Sequence, residues 1–238
     1  MGKEYSKNKY YKEVEIQQAK ELAKQFYNKE YTPQLLRIGN KKLGSNVAIW
    51  DLPSIITCQY ACKGCYALKA ERLYKNTRIH RAFHYEIIKQ ALTDKSKRDF
   101  FINYLNVELR HHALLFKTPV VRIHASGDMF SSEYLELWID IINQNKDINF
   151  YTYTKIYNND FIDKINATFN NFNIVKSLIN DKFINFGDLD YLEDLTKTLD
   201  TEGKQYYICG YGHEDNKLQC MGNCTKCLEC SNILFVKH

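Results

Sequence analysis

An α/β fold with a mostly parallel sheet is what this 238-residue sequence predicts, and three observations predict it. Short apolar runs alternate with stretches of helical periodicity. Polar turns close several of the runs, and neither a repeat nor a low-complexity linker interrupts the alternation. Sheets of this kind bind ligands at the carboxyl ends of their strands, so chemistry is sought in the turns that follow each run.

Residues 8–29 predict an N-terminal helix, and Val47 to Ile49 and Ser54 to Thr57 predict extended segments leading to the first cysteine. Ile79, Phe83 and Ile87, then Phe101, Leu105, Leu109 and Ala113, recur at helical spacing and place two helices in the next connection. Pro119 to Ile123 predicts a strand. It enters the polar turn His124-Ala125-Ser126-Gly127-Asp128 before a helix that contains Leu135, Trp138 and Ile142. Phe150 to Thr154 predicts the next strand, Phe161 to Phe169 a helix, and Ile174 to Leu178 and Phe183 to Phe186 two further strands.

Hydrophobic residues at 45% and aromatics at 14% supply a sizeable core, which sets aside a disordered or fibrous chain. No apolar run reaches the roughly 18 residues of a membrane helix, and Met1 to Glu30 is a charged helical pattern rather than a signal peptide. A cytoplasmic protein with no membrane partner is therefore expected. In that reducing compartment eight cysteines, grouped in a triplet and a C-terminal set, point to metal ligation rather than disulfides.

The triplet is Cys58-x3-Cys62-x2-Cys65, within Thr57-Cys58-Gln59-Tyr60-Ala61-Cys62-Lys63-Gly64-Cys65-Tyr66. Three thiolates on one tight loop can hold three irons of a cubane cluster and leave the fourth open to a ligand. Zinc is the competing metal, although it takes four ligands and His80 and His84 lie well downstream. Three buried free thiols are disfavoured by Gln59, Lys63 and Gly64, which are poor core material.

After the strand Pro119 to Ile123, the Ala125-Ser126-Gly127-Asp128 turn offers a glycine for close backbone approach and a carboxylate to accept from an ammonium group. The alternative is that Asp128 or Ser131 caps the following helix. Thr154 and Lys155, at the end of the next strand, are candidate ribose or carboxylate contacts, and Lys155 equally suits a solvated strand end.

These residues resemble the signature of the radical S-adenosylmethionine superfamily, and the resemblance implies a partial (β/α)6 barrel with a [4Fe-4S] cluster on Cys58, Cys62 and Cys65. It implies S-adenosyl-L-methionine bound at the open iron, with Ser126, Gly127 and Asp128 receiving its amino group. Reductive cleavage to a 5′-deoxyadenosyl radical and hydrogen abstraction from an unknown substrate would follow, fed by an electron donor such as flavodoxin or ferredoxin. The superfamily has an aromatic residue before the third cysteine, where this chain has Gly64, with Tyr66 just after. The loop, the turn and Phe150-Tyr151-Thr152-Tyr153-Thr154-Lys155 are more similar still to a phage-associated family named after gene product 88. On this resemblance residues 1–35 are an N-terminal helical extension, 36–200 the barrel and 201–238 a cysteine-rich segment.

In that last segment Cys209 precedes Cys220-x3-Cys224-x2-Cys227-x2-Cys230. Such a short-spaced run suits a second [4Fe-4S] cluster better than zinc or free thiols, with either Cys209 or Cys220 to spare.

The net charge of +5 is uneven, with the basic excess in residues 1–122 and an acidic excess in 123–238. Lys41, Lys42, Lys69, Arg72, Lys75, Arg78 and Arg81 form a basic set in which 69, 72 and 75–76 share one helical face. That arrangement suits tRNA or DNA as a substrate, and equally a solvated exterior. An iron–sulfur or zinc protein that binds nucleic acid, its metals structural, is thus the alternative function. His111 and His112 are read as surface residues.

Overall fold

A computed structural model describes residues 5–39, 43–58, 65–155, 159–177, 207–209 and 232–235. Lys41, Lys42, Cys62 and the expected strand at Phe183 to Phe186 lie outside these residues, as do Cys220, Cys224, Cys227 and Cys230.

After a 3-10 turn at Tyr5–Lys7 the chain forms α1 (Glu13–Tyr27), β1 (Arg37–Ile38) and β2 (Val47–Trp50). Three helices follow, α2 (Tyr66–Leu73), α3 (Lys75–Thr93) and α4 (Lys95–Leu115). Then come β3 (Val120–Ile123), α5 (Ser132–Gln144), β4 (Asn149–Thr154), α6 (Asn159–Thr168) and β5 (Phe172–Ser177), with β6 (Tyr207–Cys209) and β7 (Asn232–Phe235) last. The seven strands make one sheet in the order β1-β2-β3-β4-β5-β7-β6. Only β1 is antiparallel to its neighbour; the other pairings are parallel.

The expected α/β class with a mostly parallel sheet is present, but a closed or partial (β/α)6 barrel is not established by these strands. Single-helix crossovers join β3 to β4 and β4 to β5, whereas three helices separate β2 from β3. The expected N-terminal helix starts later than residue 8. Ser54 to Thr57 is a tight turn rather than an extended segment: Thr57 N and Oγ1 both donate to Pro53 O, at 3.3 and 2.8 Å, and Ile55 has φ 65°.

The helices form because their apolar positions coincide with the 3.6-residue period. In α1 Ile16, Ala19, Ala23 and Phe26 are buried, and Glu13 and Glu15 occupy the first turn, where acidic side chains favour the helix dipole. In α5 Ser131 is the N-cap, accepting from Tyr134 N at 3.2 Å, and Tyr134, Leu135, Trp138, Ile141 and Ile142 are buried. Asp94 caps α4 by accepting from Lys97 N at 3.2 Å.

One core joins Ala48, Trp50, Val121, Ile123, Phe150 and Ile174 of the sheet to buried residues of α1, α3, α4, α5 and α6. Alternate strand residues, Val47, Ile49, Val120 and Tyr151, form a second cluster with Leu43, as strands buried on both faces require. The central helix is α3. It is buried almost all round, including Arg78, Arg81, His84 and Glu86, so its charged residues must find partners inside the protein. His112 is also buried, its Nε2 2.9 Å from Asn46 O, which corrects its reading as a surface residue; His111 is exposed. Among the described residues no helix is long and apolar enough to cross a membrane.

Candidate functional site at the carboxyl ends of the strands

Register aligns the ends of three parallel strands, with Trp50 opposite Ile123 and Ile123 opposite Thr152. The residues that follow, Asp51 after β2 and His124 after β3, therefore stand side by side at the carboxyl edge. His124 N and Ala125 N both donate to Trp50 O, at 3.0 and 3.2 Å, and Leu52 N donates to Ser126 O at 2.9 Å. The turn after β3 is thus hydrogen-bonded to the start of the cysteine segment.

Gly127 has φ 91°, and a Cβ there would lie 2.6 Å from Thr57 Oγ1 and 2.7 Å from Leu52 Cβ. The glycine is required by the packing of the two turns, not by close approach of a ligand. Gly127→Ala meets both a left-handed backbone and an overpacked contact, and is expected to lower stability by about 2 to 4 kcal/mol, read by chemical denaturation. A change below about 0.5 kcal/mol would contradict the contact.

Asp128 is buried and both its oxygens are engaged within the chain. Oδ1 accepts from Met129 N and Thr154 Oγ1, both at 2.8 Å, and Oδ2 accepts from Lys155 N at 3.0 Å. Burial raises its pKa against the lowering effect of these donors. Asp128, Thr154 and Lys155 are therefore brought together, but as a latch between the β3 turn and the end of β4. The helix cap is Ser131. Ser126 is buried with its Oγ lacking a partner. Tyr66 is exposed, and its hydroxyl donates to Ala125 O, which adds a second tie between the cysteine segment and the turn.

His124 is also left-handed, at φ 66°, and fully enclosed. Its Nδ1 lies 3.1 Å from Thr152 Oγ1 and its Nε2 2.9 Å from Tyr134 OH, which in turn accepts from Trp50 Nε1 at 3.0 Å. Burial lowers its pKa to about 3, so the ring is neutral at ordinary pH.

Cys58 and Cys65 are half-buried cysteines on either side of residues 59–64, and Cys65 is the N-cap of α2. Beneath them lies a buried ionic network that sequence reasoning missed. Arg78 grips Glu15 with Nε and Nη2, at 2.7 and 2.6 Å. Arg81 donates to Glu71 at 2.9 Å and lies 4.0 Å from Asp51, which also pairs with Arg37. His84 stacks on Trp50, with ring centroids 3.9 Å apart, and its Nδ1 lies 2.9 Å from Asp51 O. The His80 and His84 rings are 4.1 Å apart; burial lowers the pKa of His80 to about 4 and that of His84 well below the ordinary value. Asp51 Oδ1, His80 Nε2, Arg81 Nε and His84 Nε2 are buried without partners. The sequence signal for this network was weak: Arg78, Arg81 and His84 fall at i, i+3 and i+6 on a helix whose neighbours are apolar.

Arg78 and Arg81 were expected in the basic set that suits nucleic acid. Both are buried in ion pairs and are removed from it, because an enclosed guanidinium does not reach a phosphate at the surface. Lys69, Arg72 and Lys75 are exposed.

These features define an α/β protein with a polar, cysteine-bearing edge at the carboxyl ends of its parallel strands. The gene product 88 family matches residues 15–232, and the chain belongs to that family. It is similar to the Gene 88 protein of Mycobacterium phage L5, at 30% identity over 99 residues, and to that of Mycobacterium phage D29, at 28% over 99 residues. Each alignment spans 41% of this chain and 40% of the relative. No solved structure matches.

The expectation of a radical S-adenosylmethionine enzyme is overturned, together with its nucleic-acid-binding alternative. The family matched is gene product 88, with no radical S-adenosylmethionine family beside it. Among the described residues no three His, Cys, Asp or Glu side chains are grouped to hold a metal ion. Asp128, expected to receive the cofactor's amino group, accepts from Met129 N, Thr154 Oγ1 and Lys155 N of the chain itself.

Proposed function

We propose that the protein is a thiolate metal-binding protein whose centre is held by Cys58, Cys62 and Cys65 at the carboxyl edge of the sheet. One observation supports this most directly: Cys58 and Cys65 are half-buried, and the residues that flank them, Leu52, Thr57 and Tyr66, are tied to the β3 turn. The donor set is three soft sulfurs, which suits iron or zinc and leaves a coordination position for an outside ligand. S-adenosyl-L-methionine, named by the resemblance, is the first outside ligand to titrate, with Ser126 Oγ as the nearby group lacking a partner. A second thiolate centre among Cys209, Cys220, Cys224, Cys227 and Cys230 belongs to the same proposal and rests on their spacing. In this reading the six parallel strands curl as a partial (β/α)6 barrel around the first centre.

The test is metal and labile-sulfide analysis of protein purified without oxygen, compared with Cys58→Ser, Cys62→Ser and Cys65→Ser. Each substitution is expected to remove the metal of the first centre and leave that of the second. Equal metal content in all four proteins would contradict the assignment.

A further inference from the structure

Resting on the thiolate reading, we infer that Glu71 is the positioning residue that sets the separation of the loop's terminal thiols. Its carboxylate is fully buried in the last turn of α2, the helix that begins directly after Cys65. Five donors converge on it. Oε1 accepts from Ser54 N at 2.8 Å, Arg81 Nη1 at 2.9 Å and Tyr11 OH at 3.3 Å; Oε2 accepts from Ser54 Oγ at 2.5 Å and Asn8 Nδ2 at 2.7 Å.

The geometry closes the loop. Ser54 lies four residues before Cys58, within the turn that Thr57 locks onto Pro53 O, so holding Ser54 holds the stem that presents Cys58. Glu71 lies on the helix that Cys65 caps, so its position fixes the other thiol. Both ends of the loop are thereby referred to one carboxylate. Asn8 and Tyr11 press on it from the N-terminal strap, and Arg81 balances its charge.

The five donors converge on both oxygens of the side chain, so both must accept, which a carboxylate does and an amide does not. In Glu71→Gln one oxygen becomes an NH2 that faces donors. That side chain must turn away or release Ser54, and the loop stem loses its register on α2.

The full chain in a Cys62→Ser background, made metal-free with chelator and reductant, is treated with dibromobimane, which bridges only thiols held close together. The Cys58–Cys65 bridge is quantified by peptide mass spectrometry. Glu71→Gln is expected to lower the yield of this bridge at least fivefold. Glu86→Gln, which loses a comparable buried contact to Tyr5 at 3.0 Å away from the loop, should leave it unchanged at an equal loss of Tm. Ser54→Ala keeps the backbone bond and removes one donor, so it should lower the yield by a smaller factor; it decides the matter if Glu71→Gln does not fold. Equal bridging in the parent, Glu71→Gln and Ser54→Ala, or no bridging in the parent, overturns the positioning role. Absence of metal from the wild-type protein with Glu71-dependent bridging would sink the metal reading and leave the positioning role standing.

Discussion

Acidification from pH 7 towards pH 4 is expected to unfold the protein. His84 and His124 are buried and His80 is half-buried with its Nε2 enclosed; desolvation lowers their pKa values to about 4 for His80 and about 3 for His124, and well below the ordinary value for His84. In the unfolded chain each titrates near 6.5. Below that pH the unfolded state binds protons that the native state refuses, so stability is fully present above about 6.5 and is lost as the pH falls towards the folded values. Each group contributes a slope of about 1.4 kcal/mol per pH unit, and the three together about 4. A drop of two units at that slope removes about 8 kcal/mol, a large part of the roughly 5 to 15 kcal/mol that holds a typical domain folded. Glu15, lowered by its hydrogen bonds to Arg78, adds to the acid loss, whereas Asp128 and Glu108, raised by burial, oppose it. Far-UV circular dichroism against pH should show a cooperative loss between about pH 4 and 5.5, and His84→Gln should move its midpoint lower. Constant stability between pH 7 and 5 would contradict the burial of these rings.

Arg78→Ala is expected to destabilise the protein by about 3 to 5 kcal/mol, because it leaves the Glu15 carboxylate buried without its bidentate partner. For a chain of this length that corresponds to a fall in Tm of roughly 10 °C. Arg78 Nη1 also donates to Glu71 O at 2.5 Å, so the substitution loosens α2 as well as α1. Replacing both partners by neutral groups, Glu15→Gln with Arg78→Met, should recover most of the loss, since no buried charge is then orphaned. Thermal melts of the single and double variants separate this structural role from the phosphate contact expected of a surface arginine, whose loss would leave Tm within a degree or two.

The strands β2 to β5 and the helices α1, α5 and α6 were legible because each carries a simple period: Ala48 and Trp50 alternate with Val47 and Ile49, and Trp138 recurs with Leu135, Ile141 and Ile142. Helix α3 was legible as a helix and illegible in its surroundings. Its arginines and histidines resemble a solvated face in sequence, and only the packing of α1 on one side and Trp50 on the other encloses them. Ser54 to Thr57 resembled a strand because Ile55 and Ile56 are β-branched; Pro53 and the hydrogen bonds of Thr57 override that propensity. At the site, sequence reasoning put Ser126, Gly127, Asp128, Thr154 and Lys155 at the ends of neighbouring strands and did not foresee that Thr154 and Lys155 donate to Asp128. A carboxylate whose donors Thr154 and Lys155 lie at the end of the adjacent strand, 26 and 27 residues on, gives no local signal that they will satisfy it. Asp51 and Glu71 escaped notice for the same reason, since their side-chain partners are 10 to 63 residues distant.

Site-resolved alkylation of the native protein tests the central claim most directly. Holoprotein purified without oxygen is exposed to iodoacetamide before and after incubation with a chelator, and each cysteine is followed by peptide mass spectrometry. Thiolates bound to a metal are withheld from alkylation, so Cys58, Cys62 and Cys65 should be protected as a set and should become reactive together once the metal is removed. Alkylation of Cys58 and Cys65 at the same rate with and without chelator, each independently of the other, would contradict a metal centre at the carboxyl edge of the sheet.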